Sequence, residues 1–373
     1  MSDLRAIPAI VQSVRRAASG PVVVLGVDGV PADRAWTRWQ PARGFELSSG
    51  FPATSATGWL AATTGADQAG HGVPGMVFVE PGVGLVNCVT GVVLARRGTG
   101  RTAGVRAGPT FCDTATEEGT AVVVCGRSLS RLGTAWAEAV LGARANRHPP
   151  PDRDLGAVDP VAEVKACIAE VDAALDRGAE LVWCFVDLDQ WMHRHGPTRE
   201  IDEALSHLDL VATVWSQRGA AVLAHADHGA VPVGHHAGLR AVFDSAADAE
   251  RCELPPGGAG RVRWLHPRPG HVAEVLRTLR GLGSAAWVGE RDDLLASGLV
   301  PPAGPHVARI GRVVAIATAA EFPVPDPGCA WEHGALDDAE TRVPLALWAA
   351  GRAEREALAV PLCPAQSPTG ESP

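Results

Sequence analysis

Nowhere does the chain approach the roughly 18 consecutive apolar residues that a membrane-spanning helix needs, and it carries no block of lysines or arginines. The first absence argues against a helical membrane anchor. The second, together with a net charge of -9, argues against a nucleic-acid polymer or an anionic membrane surface as the main partner. A small anionic substrate stays open, because metal charge at one site overrides the global sign. Residues 1–20, MSDLRAIPAIVQSVRRAASG, lack a continuous apolar core of signal-peptide length, so they read as mature protein. Eight cysteines (Cys88, Cys112, Cys125, Cys167, Cys184, Cys252, Cys329 and Cys363) are scattered singly, with no CxxC pair. Such spacing fits reduced thiols in a cytoplasm, most of them small core residues.

What the chain does have is globular material: 373 residues, 46% hydrophobic and 20% charged, enough for one large α/β domain with insertions or for two domains. Residues 21–29, PVVVLGVDG, form a continuous β-branched run ending in Asp-Gly, the pattern of a parallel strand buried on both faces. Asp28 ends that strand, at the edge where open α/β sheets bind ligands. An aspartate after a strand is also a common turn residue. Residues 51–75, FPATSATGWLAATTGADQAGHGVPG, follow as an extended approach, a Thr/Ser cluster and an apolar helical run stopped at Gly65. A hydroxyl at a helix N-terminus sits in a positive partial field that favours an alkoxide and a bound phosphate, which makes Ser55 the candidate nucleophile. An ordinary capped helix accounts for the same residues equally well.

Further along, residues 76–93 read as a β-hairpin excursion and 94–110 as a mobile surface loop. The βα rhythm resumes with a short helix at 111–119, a buried strand at 120–125 and an amphipathic helix at 129–145. A Pro-rich linker at 146–160, a helix at 161–177 and a strand at 181–186 come next. That strand runs into DLDQWMHRHGP, where Asp189 and His193, four apart, share one face of a helix and can bind one ion, while His195 points elsewhere. A strand at 220–224 ends in HADHG, placing Asp227 and His228 on the same sheet edge as Asp28. Three strands ending in acidic or imidazole groups gather ligands for hard or borderline cations. Residues 231–320 read as a small α+β lid insertion, with its strand-like RVRWLH at 261–266 and its histidines (His235, His236, His266, His271, His306) as surface or structural groups. The core resumes at 321–363, and 364–373 form a Pro/Ser/Gly-rich disordered tail.

In this order, VDG at 27–29, the FP…TS…TG…HG block at 51–72, D-x-x-x-H…GP at 189–197, ADHG at 226–229 and HG…E…VPL at 333–345 resemble the alkaline phosphatase superfamily, and within it the type I phosphodiesterase/nucleotide pyrophosphatase branch. The resemblance spans nearly the whole chain. It implies an α/β fold with a mostly parallel central sheet flanked by helices, whose core covers 1–230 and 321–363. It also implies two divalent metal ions, typically zinc, with manganese or iron as alternatives. Asp28, Asp227, His228 and Ser55 would hold one ion, and Asp189, His193 and His333 the other. The implied reaction is attack by the Ser55 alkoxide on phosphorus of a small phosphorylated substrate, possibly a nucleotide, to give a phosphoseryl intermediate that water then hydrolyses.

Two departures stand out against the family pattern. Nucleotide pyrophosphatases usually carry Thr where Ser55 stands, and the diesterase branch often places an Asn shortly after its HG, where this chain has Val-Pro-Gly-Met after His71-Gly72. Both favour a phosphomonoesterase as the alternative function; a non-catalytic binding module is the remote one. Trp191 and Met192 read as packing residues, His71 as structural, and Trp264 and Trp287 as core before nucleobase platforms.

Overall fold

The computed structural model describes residues 2–100, 104–106, 108–144, 146–147, 159–349 and 351–357. Its strands, in chain order, are β1 (Val22–Asp28), β2 (Arg43–Ser48), β3 (Val77–Glu80), β4 (Gly84–Asn87), β5 (Val93–Arg96), β6 (Val122–Cys125), β7 (Asn146–Arg147) and β8 (Leu181–Asp187). They continue with β9 (Ala221–His225), β10 (Val231–Pro232), β11 (Cys252–Ala259), β12 (Val262–Pro267), β13 (Ala286–Glu290), β14 (Val313–Ala317), β15 (Trp331–Glu332) and β16 (Arg342–Trp348). The continuous apolar runs of β1, β8, β9 and β6 lie side by side as parallel strands because helices cover both faces and leave no wet side. One seven-stranded sheet results, in the order β2-β16-β9-β1-β8-β6-β7, with only β16 antiparallel to its neighbours. The expected α/β class is the observed one.

The central strand β1 pairs with β8 on one side and β9 on the other, in register from Val22 onward, so all three run out at the same edge. That edge receives Asp28, the Asp189 helix and the Asp227-His228 turn. Gly26 in β1 has a packing reason: a Cβ there would stand 2.7 Å from the Trp59 ring of the helix Ser55–Thr64. The helix thus beds directly on β1.

A second seven-stranded sheet has the order β13-β14-β12-β11-β3-β4-β5. Its strand β12 matches the one expected at 261–266, and the hairpin expected at 76–93 joins the same sheet where Val77 pairs with Gly258. Strand β11 (CELPPGGA) had no signature, because its two prolines and two glycines mimic a loop; register shifts between Cys252 and Gly257 accommodate them. Part of the expected loop at 94–110 is strand, since β5 pairs with β4.

The single helix expected at 129–145 is two, Arg127–Leu132 and Ala135–Leu141. Gly133 takes a left-handed φ of 58° and ends the first, and Thr134 caps the second by accepting the Ala137 N–H. Within the expected linker at 146–160, Asn146–Arg147 pairs with β6, and residues 148–158 lie outside the described residues, as does the expected tail at 364–373. Among the described residues no helix is long and apolar enough to cross a membrane.

Candidate metal centre

Asp28 leaves the end of β1 with its side chain buried. The helix Ser55–Thr64 starts beside it, preceded by Thr54 in extended conformation. Side-chain capping, expected from the Thr/Ser cluster, is absent at Thr54, and the Thr57 hydroxyl donates back to the Pro52 carbonyl at 2.8 Å. Gly65 closes the helix with φ 74° and an N–H to the Ala61 carbonyl, as its position predicts. Ser55 is therefore the first helical residue. Its Oγ lies 3.3 Å from Asp28 Oδ1 and 3.0 Å from His228 Nε2. Asp28 is also held by the Trp59 indole N–H, 3.4 Å from Oδ2.

After β9 the chain turns sharply and buries both Asp227 and His228 completely. Gly29 N–H donates to Asp227 Oδ1 at 3.3 Å, tying the ends of β1 and β9 together. After β8, Asp189 opens the helix Asp189–His195, and His193 one turn on brings Nε2 to 3.0 Å from Asp189 Oδ2. His195 points away and packs on Trp191, while Met192 is buried, as expected of packing residues. His333 arrives from the far end of the chain, just past β15, with its Nε2 3.9 Å from Asp189 Oδ2 and its ring stacked 3.7 Å from that of His228.

Ligand atoms of Asp28, Asp227 and His228 lie within 4.8 Å of one another, and so do those of Asp189, His228 and His333. All seven residues singled out in the sequence are thus brought to one edge, with His228 standing between the two halves.

The hydrogen bonds show what these groups want. Backbone carbonyls only accept, so the ring nitrogens facing them must donate. His228 Nδ1 donates to Gly229 O at 3.0 Å, His333 Nδ1 to Ala53 O at 2.8 Å, and His193 Nδ1 to Trp331 O at 3.0 Å. Nε2 of His228 and His333 is thereby turned into the centre, the arrangement of a metal-ligating histidine oriented from behind. His193 Nε2, 3.0 Å from Asp189 Oδ2, instead donates to that carboxylate; burial alone would lower the His193 pKa, but Asp189 raises it well above its ordinary value. Three carboxylates face the same space, and Asp189 Oδ1 and Asp227 Oδ2 are buried without a hydrogen-bond partner among the described residues. A set of acceptors with almost no donor fits divalent cations, and the nitrogen and carboxylate mixture is a zinc-type set that also takes manganese or iron.

Electrostatics agree. Burial, then the nearby Asp227 and Asp189, push the Asp28 carboxyl well above its ordinary range, and burial raises Asp227 to about 7. Burial also favours the neutral form of Asp189, but the imidazoles of His193, His333 and His228 overcome it and hold that carboxyl well below its ordinary range. Burial and the adjacent His228 push His333 down. Carboxylates crowded in this way repel until positive charge stands between them.

Residues outside the centre behave as structural groups. His71 ends the helix Gln68–His71, accepts the Val73 N–H on Nδ1 at 3.1 Å, and is pushed down to about 4 by burial. Trp264 is buried beside Gly75 and Gly257, as expected, but Trp287, expected in the core, is 39% exposed because it stands on the edge strand β13. The seven described cysteines are buried. Sequence reasoning passed over one carboxylate at the edge of the centre, Glu332, because no spacing marks it.

The sequence profile of the type I phosphodiesterase/nucleotide pyrophosphatase family matches residues 40–335. No curated protein matches the chain by sequence. Among solved structures, murine ectonucleotide pyrophosphatase/phosphodiesterase 5 is similar with a TM-score of 0.62 at 14% identity, over 88% of each chain. An inactive variant of it in complex with AMP gives 0.61 at 14% identity, over 89% of this chain and 88% of that one. Phosphonoacetate hydrolase from Sinorhizobium meliloti 1021, in complex with phosphonoformate, gives 0.61 at 18% identity, over 92% and 96%. At these identities the structural likeness speaks for the fold, while the profile spans most of the sequence and carries the family. The chain is a member of the type I phosphodiesterase/nucleotide pyrophosphatase family, and a phosphoester hydrolase.

Proposed function

We propose that the chain hydrolyses a phosphodiester or nucleotide pyrophosphate bond through a Ser55 phospho-enzyme. Asp28, Asp227, His228 and Ser55 would hold one divalent cation, and Asp189, His193 and His333 a second, with zinc the best match to these donors. Such a pair supplies Lewis acidity at the attacking and leaving oxygens of an in-line displacement. The observation that carries the reading is the position of Ser55 Oγ, at a helix N-terminus and within 3.3 Å of Asp28 and 3.0 Å of His228.

The chain's own residues do the rest. Helix Ser55–Thr64, bedded on β1 through Gly26 and Trp59, fixes the hydroxyl in line with the carboxylate edge. The Thr54 carbonyl takes the Thr57 and Gly58 N–H groups at 3.1 and 2.8 Å, which leaves those of Ser55 and Ala56 at the helix start to suit phosphoryl oxygens. Carbonyls behind His228, His333 and His193 hold each imidazole with its Nε2 inward. Residues 231–320 would lie over this edge as a lid and set the substrate, a small phosphorylated molecule such as a nucleotide; AMP in the murine structure and phosphonoformate in the bacterial one are ligands of that size. Cysteines scattered singly along the chain, with no CxxC pair, support work in a reducing cytoplasm.

A phosphomonoesterase is the second reading, favoured by the serine nucleophile and by Val73 and Pro74 standing where the diesterase branch often has an Asn donor. A paired assay decides. Cation-loaded protein is given p-nitrophenyl phosphate or bis-p-nitrophenyl phosphate, beside Ser55→Ala. Faster diester turnover that drops by about 1000-fold or more in the variant supports the first reading, and faster Ser55-dependent monoester turnover supports the second. Turnover indifferent to Ser55 would sink the nucleophile.

A further inference from the structure

Glu332 is buried, 6% exposed, and precedes His333 directly. Its Oε1 accepts the His333 backbone N–H at 3.1 Å. The same oxygen stands 3.6 Å from His193 Nδ1, the nitrogen that faces away from Asp189, and 3.6 Å from His333 Nε2, the nitrogen that faces into the centre. One carboxylate oxygen therefore touches both imidazoles of the Asp189 half. Position is enforced from the second sheet: Gly260, in the turn between β11 and β12, has φ 47°, and a Cβ on it would come within 2.6 Å of Glu332 Oε1. The neighbouring Arg261 N–H donates to the His333 carbonyl at 2.8 Å. Cys329 Sγ lies within 4.8 Å of this carboxylate and of His193 as well. A buried carboxylate that accepts one backbone N–H, among the described residues, and otherwise faces a thiol and two imidazoles is costly unless positive charge lies close by.

We propose that Glu332 is a positioning residue of the cation centre: it holds His193 from behind, alongside the Trp331 carbonyl, and sets a fourth carboxylate against the cation bound by Asp189, His193 and His333. This inference rests on the two-cation reading above. Outer carboxylates of this kind orient a ligand imidazole and raise its basicity, and losing one lowers cation affinity by about 10–100-fold. Its effect is confined to one half, because Asp28 and Asp227 are held by the Trp59 indole and the Gly29 N–H instead.

The test is zinc binding itself, by chelator competition on the full chain, with thermal melting of the zinc-free protein beside it. Wild type is expected to bind two ions. Glu332→Gln keeps the shape and removes the charge; it should weaken one ion by about 10–100-fold, leave the other at its wild-type affinity and not lower the zinc-free melting point. Glu332→Asp, which keeps the charge on a shorter arm, should recover part of the loss. Two unaltered isotherms in both variants would overturn the proposal, as would equal weakening of both ions or a lowered zinc-free melting point in both variants, which would make Glu332 a packing residue. Fewer than two ions on wild type would overturn the two-cation reading and this inference together, whereas two ions on wild type with an unaltered Glu332→Gln overturns this inference alone.

Discussion

The two halves of the centre are built differently. Asp28, Asp227 and Ser55 stand on the ends of β1 and β9, which are hydrogen-bonded neighbours, and on a helix packed against β1. Few degrees of freedom separate these groups. Asp189, His193 and His333 instead combine a seven-residue helix with a segment about 140 positions away in sequence. That segment is clasped by backbone bonds, Ala330 N–H to His193 O and Arg261 N–H to His333 O, and by the turn of the second sheet. A side-chain exposure of 20% at His193, against 0% at His228, shows which half lies nearer solvent. The comparison teaches that the nucleophile half inherits its geometry from the sheet, whereas the other half is assembled by tertiary contacts and is the easier one to loosen.

The hardest blow to this contrast is Asp227→Asn. It removes a fully buried ligand that Gly29 ties to β1, so it should lower affinity at the nucleophile half by more than about 100-fold and abolish turnover. His193→Ala should empty only the other half. Zinc stoichiometry and tryptophan-independent chelator competition on the two variants check this; one ion lost in each, at different halves, is the expected pattern, and both ions lost in each would mean the halves are one unit. Gly196→Ala is gentler. The residue has φ 71°, and a Cβ would come within 2.1 Å of Trp331 Nε1, so the change pushes on the clasp. We expect about 1–3 kcal/mol of lost stability by denaturant melting, with weaker zinc at the Asp189 half alone.

Smallest at neutral pH is the effect of His71, which belongs to neither half. Its folded pKa is about 4 against an ordinary 6.5 because burial disfavours the imidazolium. The unfolded chain therefore binds the proton more readily, and stability present above pH 6.5 is lost as pH falls toward 4, by roughly 3 kcal/mol for this group. His71→Asn, whose Oδ1 can accept the Val73 N–H in place of Nδ1, should flatten that part of the acid limb. Melting points of both proteins between pH 7 and 4.5 provide the check, and an equally steep limb in the variant would assign the acid loss elsewhere.

Legibility in the sequence followed the locality of the signal. Strands β1, β6, β8 and β9 are continuous apolar runs because both sheet faces are covered, and each was readable from its own residues. Asp189 and His193 were readable because four residues make one helical turn. Strand β11 was not, since its Leu-Pro-Pro-Gly-Gly carries every loop signal and pairs only because β12 and β3 flank it. The break at Gly133 escaped for the opposite reason: apolar periodicity continues across it, and a left-handed glycine leaves no trace in that pattern. Glu332 has no local partner in sequence other than His333, so nothing marked it before His193 was seen beside it.

By itself the sequence determined the class of the fold and the sheet edge on which Asp28, Asp189, Asp227 and His228 gather, because strand burial and helical spacing are local properties that short windows express, while His333 entered through the family resemblance alone. Only the tertiary structure decided that His228 stands between two halves, that backbone carbonyls turn three imidazoles inward, and that a glycine turn from a second sheet presses Glu332 against His193 and His333. Those facts depend on contacts between segments far apart in the chain, where distance in space is set by packing and leaves no period to read.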